Sequence, residues 1–343
     1  MITVLTGGST PERDVALAGA AQVVSALREQ GFDVAVVDTV SGPLSDDRER
    51  ELLIPTVGKT PPTDETLARL ASQELGAALT ELPEIRDADL VFPVLHGRQG
   101  EGGEVQAILE RAGVPFVGSD HVGSEQAMDK DVAKRLFRNA GVPTASWLVW
   151  PAKEGEIEDL GFPLIVKPSK VGSTVGLTMV HAMDAVGPAV AVAKRYDDQV
   201  LLEEFLPGRE FTVGVLGDAA LAVGEIIPVH DLFDYECKYT PGMTQEIFPA
   251  DVPDDLETEM RALAIRAHEA LGLRDFSRVD FRLGADGRPY CLEVNTLPGL
   301  TATSLLPQSA AAVGIPFGEL CTRICQLALG RVASRNKASA RGL

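Results

Sequence analysis

Apolar residues in this chain fall into short runs set off by glycine-, proline- and acid-rich stretches, with strand and helix periods alternating. Ile2-Thr-Val-Leu5 reads as a strand. It feeds Gly7-Gly8-Ser9-Thr10-Pro11-Glu12, an apolar-periodic helix from Val15 to about Gln30, and the strand Phe32-Asp-Val-Ala-Val-Val37. That order predicts a parallel βαβ unit. Residues from about 42 to 85 are rich in Pro, Asp, Glu and Thr with weak periodicity, which predicts a surface excursion carrying one helix near 65–80. A buried strand at 90–95, a loop from His96 to Gly103, a helix over about 104–112 and a strand at 115–118 follow.

Beyond these, a helix runs over about 130–140 to Gly141-Val-Pro143. Strands are expected at 163–167, 177–180, 199–205, 210–216 and 221–227, with helices near 184–196, 255–272 and 316–329. A long loop spans about 228–250, and the small, polar residues 331–343 predict a disordered tail. The whole is α/β. Its expected divisions are an N-terminal parallel-sheet domain at 1–125, a central domain at 126–215, and a C-terminal domain at 216–330.

The most specific chemistry lies in 278–304. Arg278-Val-Asp280-Phe-Arg-Leu and Pro-Tyr-Cys-Leu-Glu293-Val-Asn295 alternate on either side of Asp286-Gly287, a strong hairpin signal. With Asp286 and Gly287 as the two central turn residues, Asp280 falls opposite Glu293 and Arg278 opposite Asn295. Opposed Cβ atoms lie about 4.5–5.5 Å apart, so the two carboxylates repel unless a positive charge sits between them. Asp, Glu and Asn offer oxygen only, which suits Mg²⁺ rather than zinc, and a magnesium site with few protein ligands usually shares its ion with phosphates. A surface hairpin with chance acids is the plainer alternative.

Composition narrows the field. A net charge of −19 with no basic stripe argues against nucleic-acid or anionic-membrane partners. No apolar run approaches the ~20 residues of a membrane span, and the N-terminus lacks the basic region of a signal peptide, which points to a cytoplasmic protein. Cys237, Cys291, Cys321 and Cys325 show no zinc spacing and are expected reduced, with Cys321 and Cys325 one helical turn apart and core-facing.

Other motifs keep two readings each. Gly172-Ser173-Thr174-Val175-Gly176 is either a flexible hairpin or a nest of N–H groups for phosphate, with Lys167 just before it. It joins two strands, so it is no Walker loop. Lys130 at a helix start is uninformative alone. Glu203-Glu204-Phe205-Leu206 leaves a strand where backbone groups can read a base edge, or is a strand end with solvated acids. Glu12 caps a helix electrostatically or pairs with a substrate ammonium, and His96 is a ligand contact or a satisfied core imidazole.

Taken together, these blocks resemble the D-alanine–D-alanine ligases of the ATP-grasp superfamily over about residues 1–330. The matching segments are Gly7-Gly-Ser-Thr-Pro-Glu-Arg-Asp-Val-Ala-Leu17, Leu95-His-Gly-Arg-Gln-Gly-Glu101, Ala127-Met-Asp-Lys130, Val166 through Gly176, Phe233-Asp-Tyr-Glu-Cys-Lys-Tyr239, Ser277-Arg-Val-Asp280, and Glu293 through Leu305. The resemblance implies a three-domain ATP-grasp architecture and ATP-dependent ligation of two D-alanines through an acyl phosphate, for peptidoglycan precursors. It implies ATP with two Mg²⁺ ions, Mn²⁺ being the alternative ion, and a homodimer. Alternatives are a different acceptor such as D-serine, or a silent ATP-binding module.

By the same resemblance, Asp280, Glu293 and Asn295 hold the metal, and Lys130, Lys167 and Lys238 approach the phosphates with the loop residues Ser173 and Thr174. Glu203, Glu204, Phe205 and Leu206 meet adenine, and Glu210 meets the ribose. Glu12, Ser173 and Tyr239 form a hydrogen-bonded set that closes the site, with Glu12 on the first substrate's ammonium and His96 nearby. Arg278 and the N–H of Gly299 make the oxyanion hole, and Ser304 with the N–H of Leu305 takes the second carboxylate. Ala16, Glu101-Gly102-Gly103 and Phe233 depart from the usual pattern without removing a catalytic group.

Overall fold

The computed structural model describes residues 1–57, 62–172, 175–229 and 242–340, the last six by backbone alone. Three sheets organise it. The first contains β1 (Ile2–Thr6), β2 (Val34–Asp38), β3 (Gly42–Pro43) and β4 (Leu90–Pro93), in the order β3-β2-β1-β4. β1 runs parallel to β2 and to β4, and α1 (Arg13–Glu29) makes the expected crossover. The segment 115–118, expected as a strand, contributes a single parallel bridge, Phe116 to Val91.

The excursion after β3 is more structured than its composition predicts. It carries α2 (Asp46–Leu52), α3 (Asp64–Gln73), a 3-10 turn at Gly76–Glu81 and α4 (Pro83–Arg86). Ser45 and Thr63 start α2 and α3 by accepting the N–H groups of Arg48 and Thr66. Leu79 and Ile85 are fully buried against Leu5, Val37 and Val91, so part of this segment is core and not only surface. Next come α5 (Gly97–Gly100), α6 (Glu104–Arg111), α7 (His121–Met128) and α8 (Lys130–Asn139). Asp129 separates the last two, its carboxylate accepting the N–H groups of Asp131 and Val132.

The second sheet is antiparallel, in the order β5 (Trp147–Val149), β8 (Val200–Glu204), β6 (Leu164–Pro168), β7 (Thr178–Val180), with α9 (Glu154–Leu160) and α10 (Val186–Ala193) between its strands in the chain. The third is also antiparallel: β11 (Thr244–Ile247), β10 (Ala219–Pro228), β9 (Glu210–Leu216), β12 (Phe276–Leu283), β13 (Pro289–Asn295). The chain changes sheet between β8 and β9, so β9 joins the strands that follow it. α11 (Asp254–Ala270) packs on this third sheet, and α12 (Leu305–Ala312) and α13 (Phe317–Ala340) follow.

α13 corrects the expectation of a disordered tail from 331. It continues to Ala340, and Arg331 forms an ion pair with Asp275. Cys291, Cys321 and Cys325 are buried free thiols. One apolar cluster joins Val4, Val36 and Phe92 of the first sheet to Phe276 and Leu216 of the third and to Leu320 and Ile324 of α13. The first and third sheets are therefore held by a common interior. Phe276, fully buried there, tests this: Phe276→Ala is expected to cost about 3–5 kcal/mol in denaturant unfolding. A loss below about 1 kcal/mol would show that the two sheets do not share that core.

Candidate active site

β12 and β13 pair with Arg278 opposite Asn295 and Asp280 opposite Glu293, as the sequence predicts, but by another route. The turn is not the two-residue one expected: Gly284 N–H donates to Arg288 O, leaving 285–287 as a three-residue loop with Gly287 at φ 76°. The resulting one-residue offset is undone between Asp280 and Phe281, where the partners jump from Glu293 to Cys291. Leu292 is the extra residue of a bulge. Cys291 and Val294 face the core while Leu292 and Glu293 between them do not, and both of these line the adjoining cleft.

Charge is tightly matched here. Arg278 grips Asp280 in a bidentate pair, Nε to Oδ1 at 2.9 Å and Nη2 to Oδ2 at 2.8 Å. Thr212 Oγ1 and Asn295 Nδ2 also donate to Asp280, at 2.7 and 3.0 Å. Lys130 Nζ lies 3.2 Å from Glu293 Oε2 and donates to Val171 O at 2.9 Å, linking the carboxylate to the loop before Ser173. The positive charges expected near the two acids are thus supplied by Arg278 on one side and Lys130 on the other. Burial disfavours the Arg278 cation, but Asp280, with Glu293 and Glu101, outweighs this and holds it above its usual range.

The cleft beside the hairpin gathers most of the residues read as nucleotide contacts, Lys130, Lys167, Glu203, Glu204, Phe205, Leu206 and Glu210, together with Asp280 and Glu293 of the metal reading. Ile165, Val175 and Leu177 from the second sheet and its loop face Leu292 from the third, giving apolar walls with charge at the ends. Arg282, overlooked in the sequence, stacks its guanidinium 4.9 Å from the Phe205 ring and lies 3.8 Å from Glu210.

The largest surprise is Lys134. It is fully buried, one turn along α8 from Lys130. Its Nζ lies 2.6 Å from Glu203 Oε2, while Lys167 Nζ sits 2.7 Å from Oε1. It also donates to Thr144 Oγ1 at 2.8 Å, and that hydroxyl donates to Cys291 O of β13. Burial works against the Glu203 anion, yet the two lysines outweigh it and hold its pKa below the usual value. Burial likewise pulls Lys134 down. The Glu203 side chain is thus committed to the two lysines. A sign was present in the sequence: Lys130, Ala133, Lys134 and Phe137 form one helical stripe, with two lysines where apolar residues are expected.

Glu12 occupies the N-cap position of α1 without a side-chain cap hydrogen bond, which leaves its carboxylate at the positive end of the helix dipole. His96, buried, precedes α5. Glu101 was not singled out from sequence. It is half-buried, accepts the Gly97 N–H at 2.9 Å, and desolvation followed by the charge of Glu12 pushes it up to about 8. Ser304 is the N-cap of α12, with its Oγ 2.8 Å from Thr301 Oγ1, and Leu305 opens that helix. A Cβ on Gly299 would lie 2.8 Å from Ser304 Oγ, so only glycine fits without moving that hydroxyl. Ser173, Thr174, Phe233, Cys237, Lys238 and Tyr239 lie outside the described residues.

Among the described residues no three His, Cys, Asp or Glu side chains converge on a metal position. The set at the hairpin is two opposed carboxylates and an amide. Magnesium is commonly held by one or two carboxylates together with substrate phosphates, so these oxygen donors fit it.

A carboxyl raised from 4.5 to about 8 on folding stays neutral in the folded chain through neutral pH. Its contribution to stability is fully present below 4.5 and is lost as the pH rises through about 8. Without nucleotide or metal, Glu101→Gln is expected to match the parent in thermal unfolding near pH ~5 and to exceed it near pH ~8.5. Parallel pH profiles for the two proteins would refute the assignment.

Residues 1–119 match the family model described as D-ala D-ala ligase N-terminus, and residues 136–326 the one described as D-ala D-ala ligase C-terminus. A D-alanine–D-alanine ligase of Anaeromyxobacter dehalogenans is 38% identical over 328 residues, covering 94% of this chain and 95% of the relative. The VanG D-Ala:D-Ser ligase from Enterococcus faecalis superposes with a TM-score of 0.76 at 28% identity, covering 95% of this chain and 98% of its own. The Bacillus anthracis D-alanine–D-alanine ligase complexed with ATP gives 0.75 at 26% identity, covering 98% and 99%. With an α/β ATP-grasp architecture and matches along nearly its full length, the chain belongs to the D-alanine–D-alanine ligase family.

Proposed function

We propose that the chain joins two D-alanines at the cleft between the second and third sheets, consuming ATP and forming the D-alanyl-D-alanine of peptidoglycan. The observation that carries this is the opposed pair Asp280 and Glu293 at the edge of an apolar cleft that Lys130 and Lys167 also line. The γ-phosphoryl group of ATP passes to the carboxylate of the first D-alanine and ADP leaves. The amine of the second D-alanine then attacks the acyl carbon, and phosphate leaves with its bonding pair.

The residues divide this work. Lys130 and Lys167 neutralise phosphate charge, and the apolar walls seat the base. Asp280, Glu293 and the Asn295 amide oxygen would hold Mg²⁺, which when bound supplies further neutralisation of phosphate charge. Glu12 pairs with the donor ammonium. Arg278 and the N–H of Gly299 face the oxygen that gains charge at the acyl carbon, a contribution of about 2.7–4 kcal/mol per donor in a comparable oxyanion hole. The hydroxyl of Ser304 and the N-terminal N–H groups of α12 take the acceptor carboxylate. Ser173, Thr174, Lys238 and Tyr239 complete the reading, with Tyr239 favouring an amine acceptor. The same reading carries a homodimer and a cytoplasmic setting. No described helix is long and apolar enough to cross a membrane.

Phosphate release with D-alanine and ATP is expected, with none on L-alanine; equal rates on both would overturn the substrate assignment. Glu293→Gln should lower turnover by about 10²-fold or more while leaving the melting temperature near that of the parent. Full activity in that variant would remove the metal role from the hairpin.

A further inference from the structure

Asp275 is the only non-glycine residue among the described residues with a left-handed backbone, at φ 61°. Such a conformation persists where the surroundings over-determine it. They do so here. The Asp275 side chain is 2% exposed and accepts the Gly118 N–H at 2.8 Å, Arg331 Nε at 2.8 Å and Arg331 Nη2 at 2.5 Å. Its carbonyl accepts the Gly217 N–H at 2.7 Å. The same guanidinium donates to Phe116 O at 3.2 Å.

One buried residue therefore fastens three pieces at the root of β12: its carboxylate holds the 116–118 segment and the far part of α13, and its backbone carbonyl holds the β9–β10 turn. Arg278 stands three residues along the strand and Asp280 five. The groups assigned to ATP lie in the second and third sheets, their connector and α8. The groups assigned to the donor D-alanine are split across this joint, Glu12 on α1 of the first sheet and Arg278 on β12 of the third.

Resting on the function proposed above, we propose that Asp275 and Arg331 are positioning residues. Their clamp sets the separation of Glu12 and Arg278 and so governs binding of the donor amino acid without touching it. Small displacements in such a span are costly to a reaction that depends on orientation.

The test is steady-state kinetics on the full chain carrying Asp275→Asn with Arg331→Met. Asparagine tolerates the left-handed backbone and still accepts from Gly118, and the pair of changes leaves no unmatched buried charge. KM for the donor D-alanine is expected to rise about tenfold or more, with KM for ATP within about twofold, a split that general loosening of the fold does not produce. An unchanged donor KM, or a parallel rise in both constants, overturns the clamp. Should the double variant fail to fold, Arg331→Lys decides, since it keeps the charge but loses the planar fork: the donor KM alone rises, or the proposal fails. Wild-type turnover on D-alanine separates the two ideas, because an active parent whose variants keep their donor KM refutes the clamp and leaves the function standing.

Discussion

The pairing of β12 with β13 is the constraint on which the site depends. It places Asp280 against Glu293 and Arg278 against Asn295, and everything else is arranged so that this acidic pair can exist. Two like charges held at one rung cost free energy unless compensated. Arg278 and Lys130 supply that compensation from either side. In a chain with net charge −19, the buried cations Lys130, Lys134 and Lys167 are drawn to this region, making it a local exception to the overall field.

Glu203 extends the same logic into the interior. A fully desolvated carboxylate is tolerable only when paired, and here it has an ammonium on each oxygen. Lys134 comes from α8, Lys167 from β6, Glu203 from β8, and Thr144 continues the contact to the backbone of β13. The second sheet is thereby registered by polar contacts to the helix and the third sheet, whose shared apolar cluster is separate from its own. Lys167, which lines the cleft, is thus held in place by its ion pair with Glu203.

Much of this was legible in the residues. Alternation around Asp286-Gly287 gave the opposition of Asp280 and Glu293, and the β-α-β order of the first forty residues gave the parallel sheet. What was missed has physical causes. The 3-10 turn with Leu79 and the one-turn α4 with Ile85 carry too few apolar positions for a period to emerge, though both residues are core. β5 and β11 are three- and four-residue strands, set by their neighbours and not by propensity. The last turns of α13 look polar because Arg331 meets a partner far away in sequence, Asp275, which no local pattern can announce. Lys134 was marked locally by its place in an apolar stripe of α8, but its counterion, Glu203, lies in another element.

The hairpin reached the anticipated facing of its acids because a longer turn and an extra residue cancel. A ladder closed by that same loop without Leu292 would still bring Glu293 to Asp280, so the wedge is not needed for alignment. Its effect is that two successive residues, one oily and one anionic, present themselves to the same chamber. The shape of the wall and the seat of the carboxylate are therefore mechanically joined. Altering the bulk of residue 292 presses on its neighbour's backbone, so the contour of the chamber and the position of Glu293 cannot be tuned apart.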